Sequence, residues 1–122
     1  MNKAILVVDD SASMRAVTKM ALAHLGVPLI EASNGTEALS KMQLTPTALV
    51  ISDINMPGIS GLEMLRQMKL DSRLKFIPVV MLTTEGSPTQ LEQGRALGAK
   101  AWIVKPFTAD SLIATVQKIL GV

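Results

Sequence analysis

Five short apolar runs punctuate the chain: "AILVV" (4–8), "VPLIEA" (27–32), "ALVIS" (48–52), "IPVVML" (77–82) and "AWIV" (101–104). Four of them are apolar almost throughout, the pattern of strands covered on both faces, whereas the second is more mixed and suits a sheet edge. Helix-period segments lie between the runs. Residues 12–25 place Met14, Val17, Ala21 and Leu25 on one face, residues 36–43 follow "SNG" and carry Leu39 and Met42, and residues 61–69 bring Leu62, Leu65 and Met68 together. A weaker segment, 88–97, opens at Pro88 and closes before Gly98; the last, 109–120, aligns Leu112, Val116 and Ile119 with Gly121 as its stop. Five strand–helix pairs in succession predict an α/β fold, a five-stranded parallel sheet joined by right-handed crossovers with helices on both faces. In such sheets ligands gather beyond the carboxyl ends of the strands, where strand order reverses.

Composition narrows the function classes. The 122 residues suit one domain, and at 48% hydrophobic with 2% aromatic the core must be filled by Leu, Ile, Val, Ala and the eight Met. No cysteine is present, which excludes a disulfide scaffold or thiolate metal site and fits a reducing compartment such as the cytoplasm. The N-terminal "MNKAILVVDD" has too short an apolar run for a signal peptide, and no run approaches the roughly 18 residues of a membrane span. Net charge is only +2, and the densest basic stretch, "RQMKLDSRLK" (66–75), contains an Asp and no aromatic; it reads as a solvated helix end, so neither nucleic acid nor membrane is expected as a partner. No "GxGxxG" pattern occurs, which argues against nucleotide binding through a glycine loop.

Chemistry collects just after the strands. Asp9 and Asp10 follow the first, Asp53 opens "DINMPGISG" after the third, Thr83 and Thr84 follow the fourth, and Lys105–Pro106 follow the fifth. Each alone has an ordinary explanation: Asp9 or Asp10 as a helix cap, Asp53 as a turn former, Thr83 as a local hydrogen-bonder, Lys105 as a snorkelling cation. Parallel strands nevertheless bring all of them to one rim. Three carboxylates without a cation would push at least one carboxyl pKa upward, and an all-oxygen set selects a hard divalent ion such as Mg²⁺. With the metal on one side and Lys105 on the other, a carboxylate between them is a candidate nucleophile toward a phosphoryl group.

"VVDDS", "SDINMPGISG", "LTT" and "VKPF" together resemble the signatures of response-regulator receiver domains of the chemotaxis CheY type, over essentially the whole chain. The resemblance implies strand order 2-1-3-4-5 and a phospho-acceptor role for Asp53, with a histidine kinase or small phosphodonor as the source. It implies Mg²⁺ ligation by the side chains of Asp10 and Asp53, by the Asn55 backbone carbonyl and by Asp9 through water. It implies that Thr83 and Lys105 hold phosphoryl oxygens, that the Lys105–Pro106 bond is cis, and that Asn55 and Glu85 tune phosphate lifetime. Thr83 and the aromatic position on the fifth strand, here Trp102 where Tyr or Phe is more usual, would form the switch. The signalling face would be the fourth helix, fifth strand and fifth helix.

The resulting expectation is a stand-alone, monomeric response regulator that catalyses only its own phosphorylation and dephosphorylation, acting on a flagellar motor switch protein or a phosphatase. A receiver excised from a longer regulator or phosphorelay would look the same. A small Mg²⁺-dependent phosphatase with an Asp nucleophile would want an acid two residues after that nucleophile, where this chain has Asn55. A docking module without phosphorylation would be expected to lack one of the acids or the Lys. His24, near the end of the first helix, reads as a surface residue and not as a phosphoryl carrier.

Overall fold

The computed structural model describes residues 3–84 and 88–121. Along the chain run β1 (Ala4–Val8), α1 (Ala12–Leu22), a 3₁₀ turn (Ala23–Leu25), β2 (Leu29–Ala32), α2 (Gly35–Leu44), β3 (Thr47–Asp53), α3 (Gly61–Leu70), β4 (Val79–Thr83), α4 (Pro88–Ala96), β5 (Ala101–Val104) and α5 (Ala109–Leu120). All strand pairs are parallel and the order is β2-β1-β3-β4-β5, as the resemblance implied. The strand alternation sorts two cores. Ile5, Val7, Leu49, Ile51, Val80 and Leu82 meet Leu22 of α1 and Leu112 and Val116 of α5. Leu6, Val8, Val50 and Met81 face the other way, onto Ala38 and Met42 of α2 and Met64, Leu65 and Met68 of α3. Each fully buried side chain of this size stabilises the fold by roughly 1.5–3 kcal/mol.

Several details differ from the sequence pattern. The strands expected to open at residues 27 and 77 begin at Leu29 and Val79, each just after a proline, since Pro28 and Pro78 cannot donate to a ladder and instead accept from Ile5 and Val50 through their carbonyls. β5 is apolar but only partly buried, because it forms the far edge of the sheet. In α1 the buried positions are Thr18 and Leu22, while Val17 is 50% exposed, so the inward stripe runs one position from that expected. Thr18 is tolerated inside because its hydroxyl donates to the Met14 carbonyl. The methionines divide: Met42, Met64, Met68 and Met81 are buried, whereas Met20 is 75% exposed.

Helix caps are supplied by residues other than the rim aspartates. Ser11, Asn34, Ser60 and Thr108 accept from the N–H three residues on at the starts of α1, α2, α3 and α5. Asp9 and Asp10 are thereby released from capping.

Candidate functional site

The carboxyl ends of β1, β3, β4 and β5 converge as the alternation of strands and helices required. Asp9 and Asp10 lie immediately beyond β1, Asp53 ends β3, Thr83 ends β4 and Lys105 follows β5. One oxygen from each of Asp9, Asp10 and Asp53 falls within a cluster no wider than 4.8 Å, the geometry required of a shared cation seat. Asp9 is buried, Asp53 half-buried and Asp10 exposed to solvent. The Lys105 ammonium lies 3.0 Å from Asp9 Oδ2 and 3.5 Å from Asp53 Oδ2, with 9% of its side chain accessible. This lysine does not snorkel. It spans the gap between two carboxylates that would otherwise face each other in a poorly hydrated cleft.

Local backbone fixes these groups. Asp9 Oδ1 accepts from the Ser11 N–H at 2.9 Å, and Asp53 Oδ1 accepts from the Ile54 N–H at 2.7 Å, so in both residues the second oxygen is the one turned to Lys105. The N-terminus of α3 is drawn tightly against Asp53: the Gly61 N–H donates to the Ile54 carbonyl at 2.8 Å, and a Cβ at position 61 would lie 2.3 Å from the Asp53 carbonyl oxygen. Gly58 takes a φ of 81°, the left-handed turn that reverses the chain after Pro57. The "PGISG" stretch therefore needs its two glycines for separate reasons. The Lys105–Pro106 bond is cis, and the Lys105 N–H donates to the Thr83 carbonyl at 2.7 Å, tying the ends of β4 and β5 together.

Burial pushes the Asp53 carboxyl pKa above the usual carboxylate range. Lys105 opposes that rise, Asp9 adds to it through like-charge repulsion, and the Ile54 N–H opposes it again. An acidic group that is costly to ionise beside two other carboxylates is relieved by any additional positive charge.

Thr83 is fully buried at the rim. Asn55 is exposed, two residues beyond Asp53. Glu85 lies outside the described residues. Trp102 packs partly buried against the α2–α3 side of the core, with its indole against α4; a Cβ on Gly94 would come within 2.7 Å of Cζ3, so a glycine is needed for that helix to pass the ring. Its indole N–H is buried and has no hydrogen-bond partner among the described residues. His24 is exposed in the 3₁₀ turn beyond the far end of α1, remote from the rim.

Arg15 and Glu31 were not expected to support the site. Arg15 donates through Nη1 to the Asp9 backbone carbonyl at 2.6 Å and through Nε to Glu31 Oε1 at 2.9 Å, while Lys19 holds Glu31 Oε2 at 3.0 Å. The two cations hold the Glu31 carboxyl below its usual pKa. This clamp fastens the first turn of α1 to the end of β1 and to the edge strand β2. Only the placement of Arg15 one turn into a helix that follows the acids hints at it; nothing in the sequence pairs it with Glu31.

The fold and rim define a class: parallel α/β proteins with a carboxylate cluster and one bridging lysine at the carboxyl end of the sheet. Residues 5–117 match the response regulator receiver domain family, and the chain belongs to it. It is 40% identical over 119 residues to chemotaxis protein CheY1 of Helicobacter pylori, covering 96% of each chain. Among solved structures it resembles chemotaxis protein CheY4 of Vibrio cholerae, at TM-score 0.90 and 40% identity over 98% of this chain and 100% of that one. It also resembles the signal receiver domain of a signal transduction histidine kinase from Syntrophus aciditrophicus, at TM-score 0.89 and 32% identity over 98% of this chain and 90% of that one. The protein is thus a receiver domain homologous to chemotaxis CheY proteins, of the kind that serves two-component signalling.

Proposed function

We propose that this receiver is a chemotaxis response regulator whose Asp53 accepts a phosphoryl group in a Mg²⁺-dependent reaction from a histidine kinase or a small phosphodonor. The observation that carries the reading is the meeting of Asp9, Asp10 and Asp53 within 4.8 Å, with Lys105 at 3.0 and 3.5 Å from two of them. The all-oxygen, partly solvated donor set suits Mg²⁺: Asp10, Asp53 and the Asn55 carbonyl as ligands, Asp9 through water. Bound there, the ion would neutralise phosphoryl oxygens.

The chain's own groups account for the remainder. With Oδ1 of Asp53 engaged by the Ile54 N–H, Oδ2 is the attacking atom. It forms the new O–P bond as the P–N bond to the donor imidazole breaks, and the electron pair leaves with the imidazole nitrogen. Lys105 pairs with one phosphoryl oxygen and the Thr83 hydroxyl with another, since both belong to this rim. Phosphorylation replaces one negative charge by about two and adds three acceptor oxygens. Thr83 drawn toward them moves the end of β4, and Trp102, on β5 with its ring against α4, carries the change to the face formed by α4, β5 and α5. Asn55 and Glu85 tune the lifetime of the phosphate. The chain performs no turnover of external substrates: Asn55 cannot titrate as the acid a phosphatase would need. It works as a single cytoplasmic, monomeric receiver that binds a separate target, such as a flagellar motor switch protein or a phosphatase. The likeness to a receiver from a histidine kinase supports a second reading, in which the same chemistry serves a longer regulator or a relay.

Incubation with acetyl phosphate and Mg²⁺ tests the proposal. One alkali-labile phosphate per chain, absent in Asp53→Ala, is expected. Continuous release of inorganic phosphate would instead indicate a phosphatase, and no incorporation would indicate a docking module; either overturns it.

A further inference from the structure

At the opposite end of the sheet lies a cleft of about 470 Å³, open between the end of α2 and the segment before β4. β3 spans seven residues, so at about 3.3 Å per residue this cleft lies roughly 20 Å from the acidic rim. Its volume falls within the roughly 300–1,000 Å³ of ordinary ligand clefts. Two bulky apolar residues stand almost bare on its walls, Leu44 and Phe76, each 84% exposed. Lys3 and Arg73 also line it, and the Lys75 ammonium lies 5.1 Å from the Phe76 ring centre.

No carboxylate lines the cleft among the described residues. Asp71, the one acid in the segment before β4, is held by the Gln43 amide and the Arg73 N–H and lines a different cavity. Lys3, Arg73 and Lys75 form no salt bridge among the described residues. Lys69 differs: it is engaged with the Lys75 carbonyl, as a cation near a helix C-terminus can be. An apolar pair with Lys3 and Arg73 on its walls and the Lys75 ammonium over the Phe76 ring is complementary to an apolar side chain flanked by carboxylates.

We propose that this cleft is a docking site for a short acidic peptide segment of a partner protein, seating a Leu, Ile, Phe or Trp between Leu44 and Phe76 and its Asp or Glu residues against Lys3, Arg73 and Lys75. A second copy of the chain is disfavoured, because a two-fold contact would set like cations against each other. A membrane surface is disfavoured by the concave shape. The site is separate from the phosphoryl-acceptor rim, so its success or failure is independent of the proposed function.

The test is selection of random 12-residue peptides displayed on phage against the full chain, with an Arg73→Glu/Phe76→Ser double variant as counter-selection. Both positions are exposed, and circular dichroism verifies the variant's fold. Expected are enriched peptides with Asp or Glu beside a bulky apolar residue. Their amide shift changes should map to residues 44–48 and 73–78, and their affinity should fall about tenfold or more in either single variant. No enrichment, enrichment of neutral or basic peptides, or retained affinity in both single variants would overturn the proposal. So would Phe76-dependent binding to phosphatidylserine vesicles, or Phe76-dependent dimerisation, in place of peptide binding.

Discussion

Replacing Lys105 with methionine keeps an unbranched side chain, one heavy atom shorter, and removes the charge from between two carboxylates with little access to water. The ammonium is 3.0 Å from Asp9 and 3.5 Å from Asp53, whose side chains are 6% and 16% exposed. Opposite unit charges 4 Å apart attract by ~4 kcal/mol at an effective dielectric constant near 20. The gross loss is therefore several kcal/mol, offset in part because methionine is easier to bury than an ammonium. Breaking a buried ionic group on one side costs about 3–5 kcal/mol, a large part of the ~5–15 kcal/mol that holds a small domain folded. The loss also depends on pH. Burial already raises the Asp53 pKa and Lys105 opposes that rise, so the variant's Asp53 titrates higher still. A carboxyl whose folded pKa lies above its unfolded one destabilises the native state as pH climbs through that interval. The deficit of Lys105→Met should be smallest at about pH 4, near the unfolded carboxyl's ordinary value, and should grow as pH rises toward neutrality. Urea unfolding in EDTA, followed by far-ultraviolet circular dichroism across that range, measures it. Equal stability of the two proteins, or a deficit that does not grow with pH, would refute the view that Lys105 bridges ionised, poorly hydrated acids.

Three further outcomes are expected. Gly94→Ala should gain helix propensity but lose overall stability, by about 1–3 kcal/mol, because the new Cβ would meet the indole at 2.7 Å; a raised melting temperature with unchanged Trp102 emission would contradict the packing. Arg15→Ala should weaken Mg²⁺ binding by about tenfold, since it releases the Asp9 carbonyl from the Glu31 clamp; calorimetry showing unaltered affinity would remove Arg15 from the site's support. Adding Mg²⁺ and fluoroberyllate should change Trp102 emission in wild type and leave Asp53→Ala unchanged, whereas equal responses would separate the tryptophan from the acceptor.

Much of this architecture was legible in the chain because parallel strands bury both faces and therefore announce themselves as continuous apolar runs. "AILVV" became β1 residue for residue, and the mixed "VPLIEA" became the edge strand β2. The same rule misled at "AWIV", whose apolar residues lie at the other edge and gain cover only from one neighbouring strand. The stripe of α1 was misjudged because Thr18 counts as polar in a pattern, yet satisfies its hydroxyl within its own helix and turns inward. At the rim, position alone brought Asp9, Asp10, Asp53, Thr83 and Lys105 together, because parallel strands share one carboxyl end. Arg15 and Glu31 escaped notice because their contact, sixteen residues apart, depends on where α1 settles against β2. The basic cleft escaped for a similar reason: Lys3, Leu44, Arg73 and Phe76 come from three segments joined only by folding.

The central claim, that the crowded acidic rim is a magnesium seat, is tested most directly by calorimetric titration of Mg²⁺ into the wild-type chain and Asp10→Asn. The account requires saturable one-to-one uptake in wild type and at least about a tenfold loss in the variant, as expected when a ligand of a hard cation loses its charge. Absent or non-saturable uptake, or equal affinity in both proteins, would contradict it.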